Sequence, residues 1–458
     1  MSKQNTFDKK RPFAFGLILL WAGCAFGQAP VDLPPQTLTR SDISTNPISI
    51  LPTLGEGRNF FDVNAFANAV FDTNAPIFQN GTYQGITGQT GVGFELGGGV
   101  TASRITPTAQ FLLGYTGGFR DYSTQSYPSG SNHNLSLYAT KILARRWTLN
   151  VGGNAGIFFN GGNAYQVSSS LTSTNLGQGV VLNPFSQNTK YASASVSLSY
   201  QQSLRWSYTI GGDFFLSRYY GFGSFGSTGG DGTGSVTYRL TRVTSLSGSY
   251  SHSYYGYQNA AGSSGVDSVF ATLSHDFRRA HWRVGASGGV ARVNSQGAYF
   301  IPGFLPSSIN QQLTSVITQG TYKTTSTLPS FQGSASRTWK RSALTVAGGQ
   351  SINSGNGIYL TSRNLFLSGF YSMAYRNSSL SFGGTFSRLS SIANTISTAY
   401  ESSGSDVSYY RKLTRYFGVS AHYDLTYYSN IGSVGGRIDN RVSFGLTFNS
   451  SDIPFSYF

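Results

Sequence analysis

The sequence predicts an all-β fold: a transmembrane antiparallel up-and-down β-barrel of about 18 strands, within a range of about 16 to 20. Three observations predict it. Apolar and polar residues alternate one by one over long stretches between Arg58 and Phe448. Short turns and long polar loops follow each other between those stretches. Tryptophan and arginine recur together at the short turns. No segment shows sustained helical periodicity of its apolar residues.

The amino terminus stands apart from this pattern. Lys9, Lys10 and Arg11 precede an apolar run from Pro12 to Cys24, and Ala25-Phe26-Gly27 supplies small residues before Gln28. This predicts a signal peptide over 1–27 and export from the cytoplasm. The run is shorter than the roughly 20 residues a helical anchor needs. Trp21-Ala22-Gly23-Cys24 is open to an alternative reading as a lipoprotein box, but Trp21 stands where such boxes usually carry leucine. Cys24 is the only cysteine, so the remainder has neither a disulfide framework nor a thiolate metal site. Residues 28–57 are proline-punctuated ("APVDLPPQTLTR", "NPISILPTLGEG") and are expected to form a periplasmic tail or linker or, alternatively, a partial plug. Residues 58–458 form the expected barrel.

Composition supports this division. Charged residues make up 11% of the chain and aromatics 15%. The first is low for a soluble globular protein, and the second is too high for disorder. The net charge of +15 invites a nucleic-acid reading. That reading is set aside, because the bases gather in the signal segment and at the short turns.

The strands follow from parity. In "ARRWTLNVGGNAGIFF", Trp147, Leu149, Val151, Ala155 and Ile157 share one face, while Thr148, Asn150 and Asn154 share the other. "LRWSYTIGGDFFLS" repeats this with Trp206, Tyr208, Ile210, Phe214 and Leu216. "AHWRVGASGGVAR", "SSLSFGGTFS" and "RVSFGLTF" do the same. Short turns fall near 103–106, 143–146, 201–204, 240–242, 277–281, 338–341, 376–378 and 413–415. Longer loops fall near 73–88, 121–132, 160–188, 219–232, 256–266, 294–327, 354–363, 390–404 and 430–437. Strands of ten or more residues match a tilted bilayer crossing. An even strand number places both chain ends on the short-turn side. Lipid cannot hydrogen-bond a strand edge, so such a sheet must close.

Trp147, Trp206, Trp282 and Trp339 all lie in or beside short turns and predict a membrane-interface aromatic girdle. Arg145, Arg146, Arg205, Arg278, Arg279, Lys340, Arg341, Arg411, Lys412 and Arg415 are expected to form a basic ring facing phospholipid headgroups on the periplasmic side.

These features resemble those of bacterial outer-membrane β-barrel proteins, and by size the porin-like ones. The resemblance rests on the signal peptide, the alternation, the turn–loop asymmetry and the aromatic ending "DIPFSYF" with Phe458. It implies residence in the bacterial outer membrane, contact with its lipid, and delivery by the barrel-assembly machinery. Pro454 interrupts the terminal segment, so the assembly signal is shared ambiguously between Phe444 and Phe448 on one side and Phe455, Tyr457 and Phe458 on the other.

The polar face predicts a water-filled lumen interrupted by Asp62, Glu95, Asp213, His422, Asp424 and Arg441. The leading expectation is a channel for passive diffusion of small polar solutes or ions. The alternatives are an export or docking barrel, for example for a polysaccharide with periplasmic partners, and an outer-membrane hydrolase built on His422 and Asp424. The last is disfavoured because H-E-x-x-H does not occur and no serine is distinguished from the many present. No cofactor, metal or nucleic-acid partner is expected, and a homo-oligomer is compatible with the sequence. The loop "AYFIPGFLPSSINQQL" is richer in apolar residues than an exposed loop needs, and it is expected to fold inward and narrow the pore.

Overall fold

The computed structural model describes residues 59–73, 76–79, 82–86, 90–123, 129–159, 188–220, 226–257, 262–302, 317–353, 361–392, 399–429 and 436–450. The expected signal peptide, the 28–57 segment and the terminal "DIPFSYF" lie outside them.

Eighteen strands form one antiparallel sheet. The first nine of its members are β1 (Phe60–Thr73), β4 (Thr90–Thr106), β5 (Ala109–Tyr122), β6 (Gly130–Ala144), β7 (Trp147–Phe159), β8 (Asn188–Gln201), β9 (Trp206–Tyr220), β10 (Ser227–Arg239) and β11 (Thr244–Tyr257). The rest are β12 (Gly262–Phe277), β13 (Trp282–Pro302), β14 (Ile317–Thr338), β15 (Ser342–Asn353), β16 (Ser362–Ala374), β17 (Ser378–Ser391), β18 (Tyr400–Lys412), β19 (Phe417–Tyr428) and β20 (Arg437–Asn449). A separate two-stranded hairpin, β2 (Pro76–Gln79) and β3 (Thr82–Ile86), sits in the first long connection.

Neighbours in sequence pair in order around the wall, and β1 pairs with both β4 and β20. The ring is therefore closed. Its eight tight connections are 107–108, 145–146, 202–205, 240–243, 278–281, 339–341, 375–377 and 413–416, each within a few residues of its expected place. His281, in the fifth, has φ 54°, a left-handed turn conformation that histidine tolerates better than branched residues do. β1 begins and β20 ends on the same side as these turns, as an even strand count requires.

Most of the expected loops are partly strand. Residues 76–86 hold the small hairpin, 227–232 begin β10, and β13 and β14 run to Pro302 and from Ile317. In the last case Tyr299 pairs with Gly320 and Pro302 with Ile317, so the two halves of the supposed loop satisfy each other's backbone. Residues 303–316, the centre of the loop expected to fold inward, lie outside the described residues.

The two faces separate by parity. Large apolar side chains point outward and stay exposed, among them Phe94, Leu96, Val196, Ile210, Phe214, Val269, Phe382, Phe444 and Leu446. Pairing partners share a face, so the register carries this assignment from strand to strand. On β9 the outer belt runs from Trp206 to Arg218, about 30 Å along the barrel axis for a tilted strand. Lys190 lies directly opposite Arg218 at its far edge.

Among the described residues the ladder between β14 and β15 stops early. β14 pairs with β15 only from Phe331↔Gln350 down to Thr338↔Ala343, whereas β13 and β14 remain paired up to Pro302↔Ile317.

Candidate functional site: the lumen

The register places Asp62, Glu95, Asp213, His422, Asp424 and Arg441 all on the inner face. Asp62↔Thr101, Asn68↔Glu95, Asp213↔Asp231, His422↔Ser443 and Asp424↔Arg441 are their cross-strand neighbours. The structure brings four of the six together and leaves Asp62 and Asp213 apart. Asp62 accepts a bond from Ser450 Oγ at 3.3 Å near the turn side. Asp213 sits beside Asp231 on a distant part of the wall. Thr233 Oγ1 and Ser253 Oγ donate to the Asp231 carboxylate at 2.7 and 2.8 Å.

The four that gather belong to one row near the loop side. Asp406 of β18 faces Asp424 of β19, which faces Arg441 of β20, which faces Asp72 of β1. On the next two strands, Glu95 of β4 faces Arg120 of β5. Arg441 donates from Nε and Nη2 to Asp72 Oδ2 at 2.9 and 2.5 Å, and Tyr122 Oη donates to the same oxygen at 2.7 Å. Arg120 Nη2 donates to Glu95 Oε1 at 3.1 Å. His422 Nε2 lies 2.8 Å from Asp424 Oδ1. Asp72, Arg120, Tyr122, Asp406, Asp424 and Arg441 are buried, with Asp72 only 1% exposed, whereas Glu95 and His422 are partly accessible. Buried ions of this kind persist only when paired and hydrogen-bonded.

Asp72, Arg120, Tyr122, Asp406 and Asp439 were not singled out by sequence, although parity signals them. Asp72 lies ten residues after Asp62, on the same face of the same strand. It escapes notice because it sits at a strand end, where a loop and a strand read alike.

Beside this row the loop-side lumen is filled by aromatic and aliphatic side chains. Phe158 stacks on Tyr191 at 5.0 Å, and Phe215 meets Tyr255 at 5.6 Å. Leu389 and Tyr400 are buried opposite each other. Glycine makes room for such rings. A Cβ on Gly93 would come 2.8 Å from Tyr122 Cδ1, and one on Gly229 2.6 Å from Phe215 Cε1.

The turn-side lumen is different in kind. Cross-strand hydroxyl pairs line it: Ser199 with Thr209 at 3.0 Å, Thr237 with Ser247 at 2.9 Å, and Ser245 with Ser274 at 2.6 Å. These side chains remain partly accessible.

The turn-side rim carries the expected tryptophans. Trp147 and Trp206 are each 40% exposed and pack on Tyr200 and Tyr238, both at 4.7 Å. The Arg337 guanidinium lies 4.6 Å from the Trp339 ring centre and 5.5 Å from that of Trp282. Arg145, Arg146, Arg205, Arg278, Arg279, Lys340, Arg341, Arg411, Lys412 and Arg415 are all exposed at this end. Lys412 shares the inner parity of β18, so it stands at the mouth of the lumen rather than on its outer rim. Arg283 also faces inward, 3.9 Å from Asp276.

His422 was the one candidate base for hydrolysis. Its cross-strand neighbours are Ser408 and Ser443, and Ser408 Oγ shares a hydrogen bond with Ser381 Oγ at 2.5 Å. Among the described residues no group of three or more His, Cys, Asp or Glu is arranged to hold a metal ion.

No protein-family model matches the chain, and no curated protein matches it. Among solved structures it is similar to a BenF-like porin from Pseudomonas fluorescens Pf-5, at 8% identity and a TM-score of 0.42, covering 85% of this chain and 98% of that one. It is also similar to the outer membrane protein OpdK of Pseudomonas aeruginosa, at 10% identity and a TM-score of 0.37, covering 85% and 98%. OccAB4 of Acinetobacter baumannii aligns over 86% of this chain and 98% of its own, at 8% identity and a TM-score of 0.36.

Proposed function

We propose that the chain is an outer-membrane channel through which small polar solutes or ions pass by diffusion, with a preference for cations. One observation carries this reading: a closed ring of strands with exposed apolar side chains outside and a charged, hydroxyl-lined face inside. Water-soluble β-proteins put these faces the other way round. The cation preference follows from the sign of the inner face. Asp62, Asp213, Asp231, Asp276, Asp406, Asp424 and Asp439 add to the paired Asp72 and Glu95, against Arg120, Arg239, Arg283, Lys412 and Arg441. The net charge of +15 is misleading here, because much of the base is at the rim.

The test is single-channel recording in a planar bilayer across a potassium chloride gradient. Discrete conductance steps with a cation-selective reversal potential are expected. Asp406→Asn with Asp424→Asn should move that potential toward zero while the steps persist. Insertion without steps would end the channel reading, and anion selectivity would end the charge argument.

A further inference from the structure

The interrupted ladder between β14 and β15 points to a second route through the protein. Its cause is local. Pro329 lies one turn of the pleat beyond the last pair, Phe331↔Gln350. Gln350 Nε2 donates to the Pro329 carbonyl at 2.6 Å, so that carbonyl points toward β15. In a strand a residue's N and C=O point the same way, so the N–H that proline lacks is missing from the β15 edge. Ser330 Oγ donates to the Gln350 carbonyl at 2.9 Å. Two side-chain staples thus stand where backbone bonds would be, and beyond them the ladder ends.

Past that point the wall overlaps itself. Ile352 has the outward parity of β15, shared with Val346 and Gly348, and its partner on β16 is the exposed Arg363. Yet Ile352 is buried in one apolar cluster with Tyr257, Val266 and Val293, which face inward from β11, β12 and β13. Leu328 of β14 packs against the same cluster. An outward residue packed among inward ones means that the end of β15 lies inside the β13–β14 hairpin. A clasp holds this lap. Thr361, just before β16, shares hydrogen bonds with Tyr257 Oη at 2.5 Å and Ser295 Oγ at 3.1 Å.

The lap lies at the outer edge of the apolar belt. Pro329 is paired with Val290, which is 53% exposed, and the next outward pair is Arg292 with Thr327. Arg292 in turn faces Asp267 of β12. An unpaired strand edge is costly in hydrocarbon, so a break at this depth needs a reason.

We propose that the β14–β15 lap is a side passage. It admits an amphiphile with a slim apolar body from the outer leaflet to the apolar cluster inside the wall, its polar end remaining at the Arg292–Asp267 level. The proposal rests on the bilayer-spanning reading above and adds a lateral route to the axial one.

The experiment uses the full-length protein in phosphatidylcholine vesicles carrying a diazirine on one acyl chain, a probe that cannot enter by an aqueous lumen. After photolysis, labelled residues are mapped by mass spectrometry. In the wild type, Val293, Leu328 and Ile352 are expected to be labelled along with the outward-facing Val290 and Leu446. Ser295→Cys with Thr361→Cys puts two sulfurs where two hydroxyls already meet, and oxidation should abolish inner labelling, with recovery on reduction. Pro329→Thr restores the missing donor and should also lower inner labelling without relying on the disulfide. Labelling of Val290 and Leu446 alone in the wild type would overturn the passage and leave the membrane reading intact. Equal inner labelling in the oxidised, reduced and Pro329→Thr proteins would also overturn it. Absence of label at Val290 and Leu446 would overturn the membrane reading and the passage together.

Discussion

The two halves of the lumen are built from the same strands yet follow different rules. Toward the loops, ions and rings fill the interior: Asp72, Arg441, Tyr122, Tyr255 and Leu389 are nearly inaccessible. Toward the turns, serine and threonine hydroxyls pair across strands and stay in contact with water. The first half has the packing of a protein core, and the second that of a wetted wall. The buried ions and rings are therefore concentrated in one half, while the turn-side half is lined mainly by neutral hydroxyls, with Asp62, Asp276, Arg283 and Lys412 among them.

Substitutions can break this contrast or sharpen it. The largest effect is expected for Asp72→Ala, which strands the Arg441 guanidinium in a buried site and should cost about 3–5 kcal/mol in urea unfolding from vesicles. Removing both partners should cost less than the sum of the single changes, because no ion is then left alone. Leu389→Ala, at a fully buried position, should cost about 2–4 kcal/mol and raise conductance by opening the packed half. Trp339→Ala, which removes the ring beneath Arg337, should cost about 1 kcal/mol and leave selectivity unchanged. Thr237→Ala, in the hydroxyl-lined half, should stay within about 0.5 kcal/mol of wild type with unaltered conductance. A turn-side change as costly as Asp72→Ala would mean that the two halves are not built differently.

Much of this was legible in the sequence, and the reason is physical. Side-chain parity has a period of two, so each strand announces its two faces without reference to its neighbours. Trp206, Ile210 and Phe214 on one parity and Thr209 and Asp213 on the other settle the orientation of β9 alone. The tight turns follow from the same breaks in alternation. Pairing across strands is not local, and the site depends on it. Asp424 and Arg441 could be assigned to the lumen one at a time, but their joining with Asp72, on a strand far away in the chain, required the ring to close. The β14–β15 lap was hidden for a related reason. Pro329 is visible in the sequence, but whether its missing donor matters depends on which edge it faces.

The bond between Asp72 and Arg441 spans 369 positions of chain. It ties the first member of the hoop to the last, so no partly made chain can form it. Every other ion pair of the row can be satisfied by segments synthesised earlier, except those that also use β19 or β20. The carboxylate on β1 must therefore wait, protected or solvated, until the final hairpin arrives. Its capture then marks the moment at which an open, edge-bearing ribbon becomes a finished tube.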